Sequence, residues 1–563
     1  MKRWLLLACA MLIPAMVLGN DAKLAPELKN VANGQMVSVI VQYKAAPSSV
    51  QINNIRANAG QVIASLTLIN SLNVLVSPTA LVSLAADDQV AYISPDRTVR
   101  GRLNNAAPAV LANYAWSLGL DGTHVGVAVV DSGIHDVNDL SLLGLSRVKY
   151  SQDFTGGGTD DGYGHGTHVA GIIGGNGSDS TCQLCNVAIK GIAPNVDLVN
   201  LRVLDSTGQG SDSLVIQAIQ AAVQLKDTYN IRVMNLSVGR PVFESYVQDP
   251  LCQAVEQAWR AGIVVVVSAG NDGRDNSMGT NGYGTIEAPG NDPYVITVGA
   301  MNTKGTPDRA DDVMTTYSSK GPTVIDHIVK PDLVAPGNRV VSLYVSGYLE
   351  AQYPQNLVPL SYYESTSSND PSTSYFVLSG TSMATGMVSG AAALMVQQDP
   401  TLTPDQVKAR LMKTAYKNLP RYTSVTDNGV TYNLQADVFT VGTGYLDLQA
   451  ALSNTDRAPG VAKSPTAYYD ANSGNVFFLA DSTTPWGQSA MWGSSVMSKP
   501  GPNSAMWGSS VVWGSNAFLP YSAMWGNSAM WGSSAMWGNS AMWGNSAMWG
   551  NSAMWGNSVS GEN

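Results

Sequence analysis

Four β-branched runs in the middle of the chain, HVGVAVVD, DLVNLRVL, IRVMNLSVG and GIVVVVSAGN, constrain the fold more than any other feature. Each is apolar along its length rather than at alternate positions, and each is followed by a helix-like segment or a Gly-rich turn. A strand that is apolar on both faces must be covered on both, which is the condition of a parallel sheet buried between helices. The segment over which this alternation holds, roughly Ala107 to Leu452, is therefore expected to be an α/β unit with a mainly parallel central sheet. Functional groups of open α/β sheets gather at the carboxyl ends of the strands. Polar residues in those places carry the question of function.

Three stand out. Asp131 ends VGVAVVD, His165 lies in DGYGHGTHVAGII at the start of a helical pattern, and Ser382 lies in LSGTSMATGMVSGAAALM just before another. Singly, each has an ordinary structural role open to it: an Asp cap, a core histidine, a serine N-cap. Together they are what nucleophilic catalysis at a hydroxyl requires: an attacking oxygen, a base within reach, and a third group that fixes the base's tautomer. Glycines around Ser382 let a substrate backbone approach closely. The helix that follows turns its positive end toward a developing oxyanion.

The blocks VVDSGI, GHGTHVAGIIGG, GIAP, LRVLD, MNLSVG, VVVVSAGNDG, PYVITVGA, SSKGP, KPDLVAPG and SGTSMA, in this order, resemble the subtilisin family of serine peptidases. The resemblance implies a subtilisin-like three-layer fold in which Ser382 attacks the scissile carbonyl, His165 takes and returns the proton, and Asp131 orients the imidazole. It implies that Asn271 supplies the side-chain donor of the oxyanion hole beside the backbone N–H of Ser382. Gly208-Gln209-Gly210 and Ser237-Val238-Gly239 match the segments that flank a bound peptide. Ala269, Gly270 and residues 287–289 match the first specificity pocket. Asp272 and Glu287 leave two readings there: carboxylates facing a Lys or Arg of the substrate, or carboxylates in solvent. Where the family usually has Pro-His after the nucleophile's first turn, this chain has Gly386 and Met387, which puts local rigidity in doubt because Gly weakens a helix interior. His168 is expected to be structural, and His124, His135 and His327 carry no supporting pattern.

Residues 1–19 read as a secretory signal, with two basic residues, an apolar run, and small residues at Val17 and Gly19. Pro14 argues against an uninterrupted membrane helix, so a secreted protein with no transmembrane segment in its mature form is expected. Cys9 lies too early in the apolar run to suit a lipoprotein site. Residues 20–106 give strand and helix patterns of a small α+β unit. By resemblance this unit is a ferredoxin-like, inhibitor-type propeptide, an intramolecular inhibitor removed near Arg100 to Asn105. Residues 454–484 read as a linker. From 485 to 563 SAMWGN recurs, with Trp525, Trp531, Trp537, Trp543, Trp549 and Trp555 spaced by six. This tail is either an aromatic platform, for a cell-surface glycan or a partner, or a low-complexity extension.

Charge narrows the partners. A net charge of −10 with 13% charged residues and no basic cluster argues against nucleic acid. Cys182 and Cys185 in CQLC form either a short disulfide or half of a zinc site whose second pair is missing, while Cys252 reads as a buried small hydrophobe. The triad needs no cofactor. Family members often bind calcium, but the familiar inserted loop is not recognisable after GIIGGNG, and scattered Asp residues assign no metal site. The expected activity is that of a secreted serine endopeptidase acting on polypeptides and made as a self-processed zymogen. The competing reading is a catalytically weak surface-binding protein that uses the scaffold and the tail.

Overall fold

The computed structural model describes residues 23–25, 28, 36–95, 106–277, 279–427, 429–470 and 475–479. The expected signal peptide, the processing region at 100–105 and the Trp-rich tail lie outside the described residues. The chain divides into two units, 1–100 and 101–563.

The first unit runs β1 (Val37–Tyr43), α1 (Ser49–Ala57), β2 (Gln61–Leu66), β3 (Ser71–Val76), α2 (Pro78–Ala86) and β4 (Val90–Pro95). Its sheet is ordered β2-β3-β1-β4 with every pair antiparallel. Local sequence starts both helices: Ser48 and Gln51 form a capping box on α1, and Ser77 caps α2 with Pro78 in its first turn. Val39, Val41, Leu72, Val74 and Val76 alternate onto one face of the sheet and share a core with Ile55 and Leu81 of the helices.

In the second unit α3 (Ala106–Ala109) and α4 (Ala112–Ser117) lead into β5 (Gly126–Asp131). A small hairpin, β6 (Ser141–Leu142) with β7 (Leu145–Ser146), precedes β8 (Val148–Asp153). Then follow α5 (His165–Gly174), β9 (Asp197–Arg202), α6 (Asp212–Leu225), β10 (Ile231–Leu236), α7 (Pro250–Arg260), β11 (Val264–Ser268) and β12 (Ile296–Asn302). β13 (Val313–Met314), β14 (Leu333–Pro336), α8 (Tyr348–Gln352), α9 (Thr381–Gln398) and α10 (Pro404–Thr414) complete the parts that position the site.

Strands β8-β9-β5-β10-β11-β12-β14 form a continuous parallel sheet, and β13 adds antiparallel to β12. Every residue of β5, β10, β11 and β12 is buried except the half-buried Arg232. This is the continuous apolar character that the sequence runs require. Helices α5 and α9 pack together, as do α6 and α7, and members of both pairs rest on the central strands. Residues Thr381 to Val396 of α9 are all buried, so this helix runs through the interior rather than along a surface.

The segment expected as a linker departs from that reading in its first part. Ala462 is fully buried, the Val329 N–H donates to the Pro465 carbonyl, and the Ala467 N–H donates to that of His327. Ser464 reaches furthest, donating its hydroxyl to Asp332. Asp332 in turn sits between two buried ammonium groups, Lys330 at 2.7 Å and Lys408 at 3.3 Å, and accepts the Thr297 N–H at 2.8 Å. Burial alone would raise its carboxyl, but the two lysines hold it below the ordinary carboxylate range. The block KPDLVAPG thus closes a buried charge cluster that ties residues 454–467 to the sheet.

Removing one partner of such a cluster strands the others without counter-charge. Asp332→Ala is expected to cost about 3–5 kcal/mol, read from denaturant unfolding at neutral pH. The depressed pKa sets the sign of the pH dependence. The wild-type advantage is fully present above the ordinary Asp value of about 4 and is lost as pH falls through the lower folded value.

Candidate active site

Because β5, β10 and β11 are adjacent and parallel, their carboxyl ends lie along one edge of the sheet. β5 ends at Asp131, Ser237-Val238-Gly239 follow β10, and Ala269-Gly270-Asn271 follow β11. The strand order reverses at β5, whose neighbours β9 and β10 both come later in the chain. Such a switch point opens a crevice at the carboxyl edge.

His165 is the first residue of α5, and its Nδ1 lies 2.7 Å from Asp131 Oδ1, with both side chains 1% exposed. The approach is close because Gly166 lets it be: a Cβ there would fall 2.2 Å from the Gly133 carbonyl oxygen and 3.2 Å from the Asp131 Cβ. Two residues not anticipated as part of the site lock this contact. Ser132 accepts the Gly166 N–H at 2.9 Å and donates its hydroxyl to Asp161 at 2.8 Å, while its own N–H donates to Asp131. The buried Asp161 also accepts N–H groups from Tyr163, Gly164 and Thr167, gathering the turn that presents His165. The run DDGYGH hinted at a polar turn; what it did not show is that the carboxylate points inward.

Ser382 is the second residue of α9. The helix is capped by Gly380 without a side-chain bond, so the N-cap role open to this serine is not the one it takes. Instead its hydroxyl donates to the Ser237 carbonyl at 3.4 Å, and Ser237 Oγ donates back to the Ser382 carbonyl at 3.1 Å. This couples the end of β10 to the start of α9. Asn271 Oδ1 accepts both the N–H of Thr381 at 2.9 Å and its hydroxyl at 3.2 Å. With its oxygen held inward, Asn271 keeps its amide nitrogen for another acceptor.

His168 is fully buried, and burial pushes its pKa down to about 3, so the ring is neutral. Its Nε2 lies 3.2 Å from the carbonyls of Val340 and Phe376, tying α5 to the strand that leads into Ser382. Gly386 also proves to serve packing. A Cβ there would lie 3.0 Å from Ile172 Cγ2 on α5, and the helix continues unbroken to Gln398 with Met387 buried. At Gly386 the absence of a side chain allows close helix–helix contact.

On the far flank, Gly208 of the Gly208-Gln209-Gly210 turn lies against the Tyr163 ring, where a Cβ would come within 2.6 Å of Cζ. Tyr163 stacks on Tyr348 of α8 at 5.7 Å and lies 6.4 Å from the His165 ring. The N–H groups of Tyr348 and Leu349 donate to the carbonyls of Gly162 and Tyr163, bracing the turn before His165. Glu287 corrects the solvent reading: it is 5% exposed, while Asp272 is half-buried.

Residues 122–444 match the Subtilase family, more than half of the chain. The chain belongs to that family. It is 36% identical over 354 residues to "Serine protease AprX" of Bacillus subtilis (strain 168), covering 61% of this chain and 73% of that protein. It is 33% identical over 309 residues to "Subtilisin DY" of Bacillus licheniformis, covering 55% of this chain and 89% of that protein. With "Subtilisin E" of Bacillus subtilis (strain 168) it shares 30% identity over 420 residues, or 74% of this chain and 93% of that protein. This subtilase is a serine-type endopeptidase. Among the described residues no helix is long and apolar enough to cross a membrane.

Of the two readings of CQLC, the structure of the subtilase takes the first: Cys182 and Cys185 form a disulfide. Glu364 lies beside them, but the joined sulfurs leave that trio without its thiolates. Cys252 is buried, donates toward Asn291 Oδ1, and burial pushes its thiol well up. Near the turn after α5 both oxygens of Asp139 are taken by the Asp179 N–H and the Tyr375 hydroxyl.

Ser132→Ala removes the hydroxyl that joins Gly166 to Asp161. Loss of a bond to a charged group is worth roughly 1.5–3 kcal/mol, which at about 1.4 kcal/mol per decade predicts a fall in kcat of at least about tenfold. KM should stay near the wild-type value in steady-state peptide hydrolysis, since the lost bond orients His165 rather than holding substrate.

Proposed function

We propose that Asp131, His165 and Ser382 are the catalytic triad of a secreted endopeptidase made as a self-processed zymogen. The observation that carries this is the buried 2.7 Å contact between Asp131 and the His165 Nδ1. A carboxylate there holds the Nδ1–H tautomer and leaves Nε2 to act as base. Ser382 Oγ attacks the scissile carbonyl carbon while its proton passes to His165. The imidazolium, stabilised by Asp131, then protonates the leaving amine, and water hydrolyses the acyl-enzyme by the reverse relay. Asn271 and the backbone N–H of Ser382 form the oxyanion hole. Substrate binds as an added strand beside 208–210 and 237–239.

Residues 20–106 act as the inhibitor-type propeptide. The strand–helix–strand–strand–helix–strand order of 37–95 with sheet order β2-β3-β1-β4 supports a ferredoxin-like fold for it. The similarity to subtilisin E also spans more of the chain than residues 122–444 occupy. Secretion rests on the signal-like N-terminus. The Trp repeat suits an aromatic platform, tested by retention of residues 485–563 on polysaccharide against a Trp→Ala series.

A fluorophosphonate probe should label the processed protein at Ser382 and leave Ser382→Ala unlabelled, with the mutant retaining residues 20–106. An unlabelled, folded and processed wild type would overturn the assignment. Asn271→Ala should lower kcat by about 10²–10³ with little change in KM, the loss measured when the corresponding donor is removed from subtilisin.

A further inference from the structure

The edge that carries the triad also carries an acid for which the hydrolysis has no use. Glu287 is fixed by backbone on both sides: its N–H donates to the Ala269 carbonyl, and Ala288 exchanges two bonds with Arg240. Its side chain fills the slot between Gly239 and Gly270. A Cβ on Gly239 would fall 2.3 Å from Glu287 Oε2, and a Cβ on Gly270 would fall 2.7 Å from its Cγ. Both glycines belong to the segments that flank Ser382, one two residues past the Ser237 carbonyl and the other next to Asn271. The carboxylate therefore lies between the walls of the cleft.

Glu287 Oε1 is buried without a hydrogen-bond partner among the described residues. Burial pushes its carboxyl well above the ordinary value, and the charge that adds to this is Asp272, another acid. Cations near the slot are engaged elsewhere. Arg240 makes paired bonds to Asp212 and Asp249, and the Lys320 ammonium donates to the Asn281 carbonyl. Among the described residues the other buried acids with a partnerless oxygen each have a basic group acting on them beside any acid: Asp131 has His165 on its other oxygen, Asp292 has Lys330 and Lys408, and Asp312 has Arg309. Glu287 has a neighbour of its own sign.

We propose that Glu287 is a specificity-determining residue that selects Lys or Arg at the substrate residue whose carbonyl Ser382 attacks. This rests on the peptidase reading and deepens it. A long basic side chain that reaches the carboxylate held between Gly239 and Gly270 brings the missing counter-charge and a charge-assisted hydrogen bond. An apolar side chain leaves the acid buried and unpaired, and a site built for a polar partner rejects the analogue that lacks one.

The test uses the processed full chain and four peptides identical but for Lys, Arg, Phe or Leu at that position, with active-site concentration fixed by fluorophosphonate titration. Wild type is expected to favour Lys or Arg by roughly tenfold or more in kcat/KM, and Glu287→Gln to collapse the Arg-over-Leu ratio toward one. A titratable wild type that prefers Phe or Leu overturns the proposal and leaves the triad standing, and this outcome is read on the wild type alone, whether or not the variant folds. An unchanged ratio in Glu287→Gln overturns it as well, because another group then sets the preference. Failure of wild type to titrate overturns the peptidase reading itself.

Discussion

The contact between the first turn of α5 and the end of β5 is what the rest of the site depends on. Two backbones meet there at a distance no side chain permits, with Gly166 against the Gly133 carbonyl. A methyl group at 166 would push His165 away from Asp131, and the 2.7 Å contact would open. Everything else serves to make that approach hold: Ser132 and Asp161 bond across it, His168 fastens the same helix to the strand before Ser382, and Gly386 lets α9 settle on Ile172. Burial raises the worth of each bond, because water cannot compete for the groups involved.

A second layer of constraint comes from α9. A helix buried over sixteen successive residues must be small wherever a neighbour approaches, which is why SGTSMATGMVSGAAALM reads as it does. At Gly390 a Cβ would meet Ile192 at 2.5 Å, and at Gly386 it would meet Ile172. The intrinsic cost of glycine in a helix, about 1 kcal/mol each relative to Ala, is offset by close packing that a larger residue would destroy. The Gly386-Met387 pair thus serves the close packing of α9 on α5.

Much of this was legible in the sequence. Uninterrupted β-branched runs specify a sheet covered on both faces, and Asp131, His165 and Ser382 fall where such a sheet places its chemistry. Less legible were groups whose role depends on side-chain direction. Asp161 sits in a run of Asp and Gly that looks like a solvated turn, yet it points inward and collects three N–H groups and a hydroxyl. Tyr348 comes from a stretch far from His165 in sequence, and no local pattern announces that it will stack on Tyr163. The packed part of the 454–484 segment escaped for a related reason: Ser464 and Ala462 are ordinary loop residues, and only the buried lysines waiting across the fold give them a role.

The buried acids of this subtilase separate by how they are satisfied, and that separation carries functional information. Asp332 is balanced by two lysines, Asp161 by a cage of donors, and Asp437 by the Tyr283 and Thr440 hydroxyls and the N–H groups of a helix turn. Leaving a carboxylate buried and unanswered costs several kcal/mol if it stays charged, and a fold that needed only volume between Gly239 and Gly270 could fill it with an aliphatic side chain at no such penalty. On the proposed specificity, the group that answers Glu287 arrives with the substrate, and the energy forgone in the free enzyme becomes discrimination when a basic side chain enters.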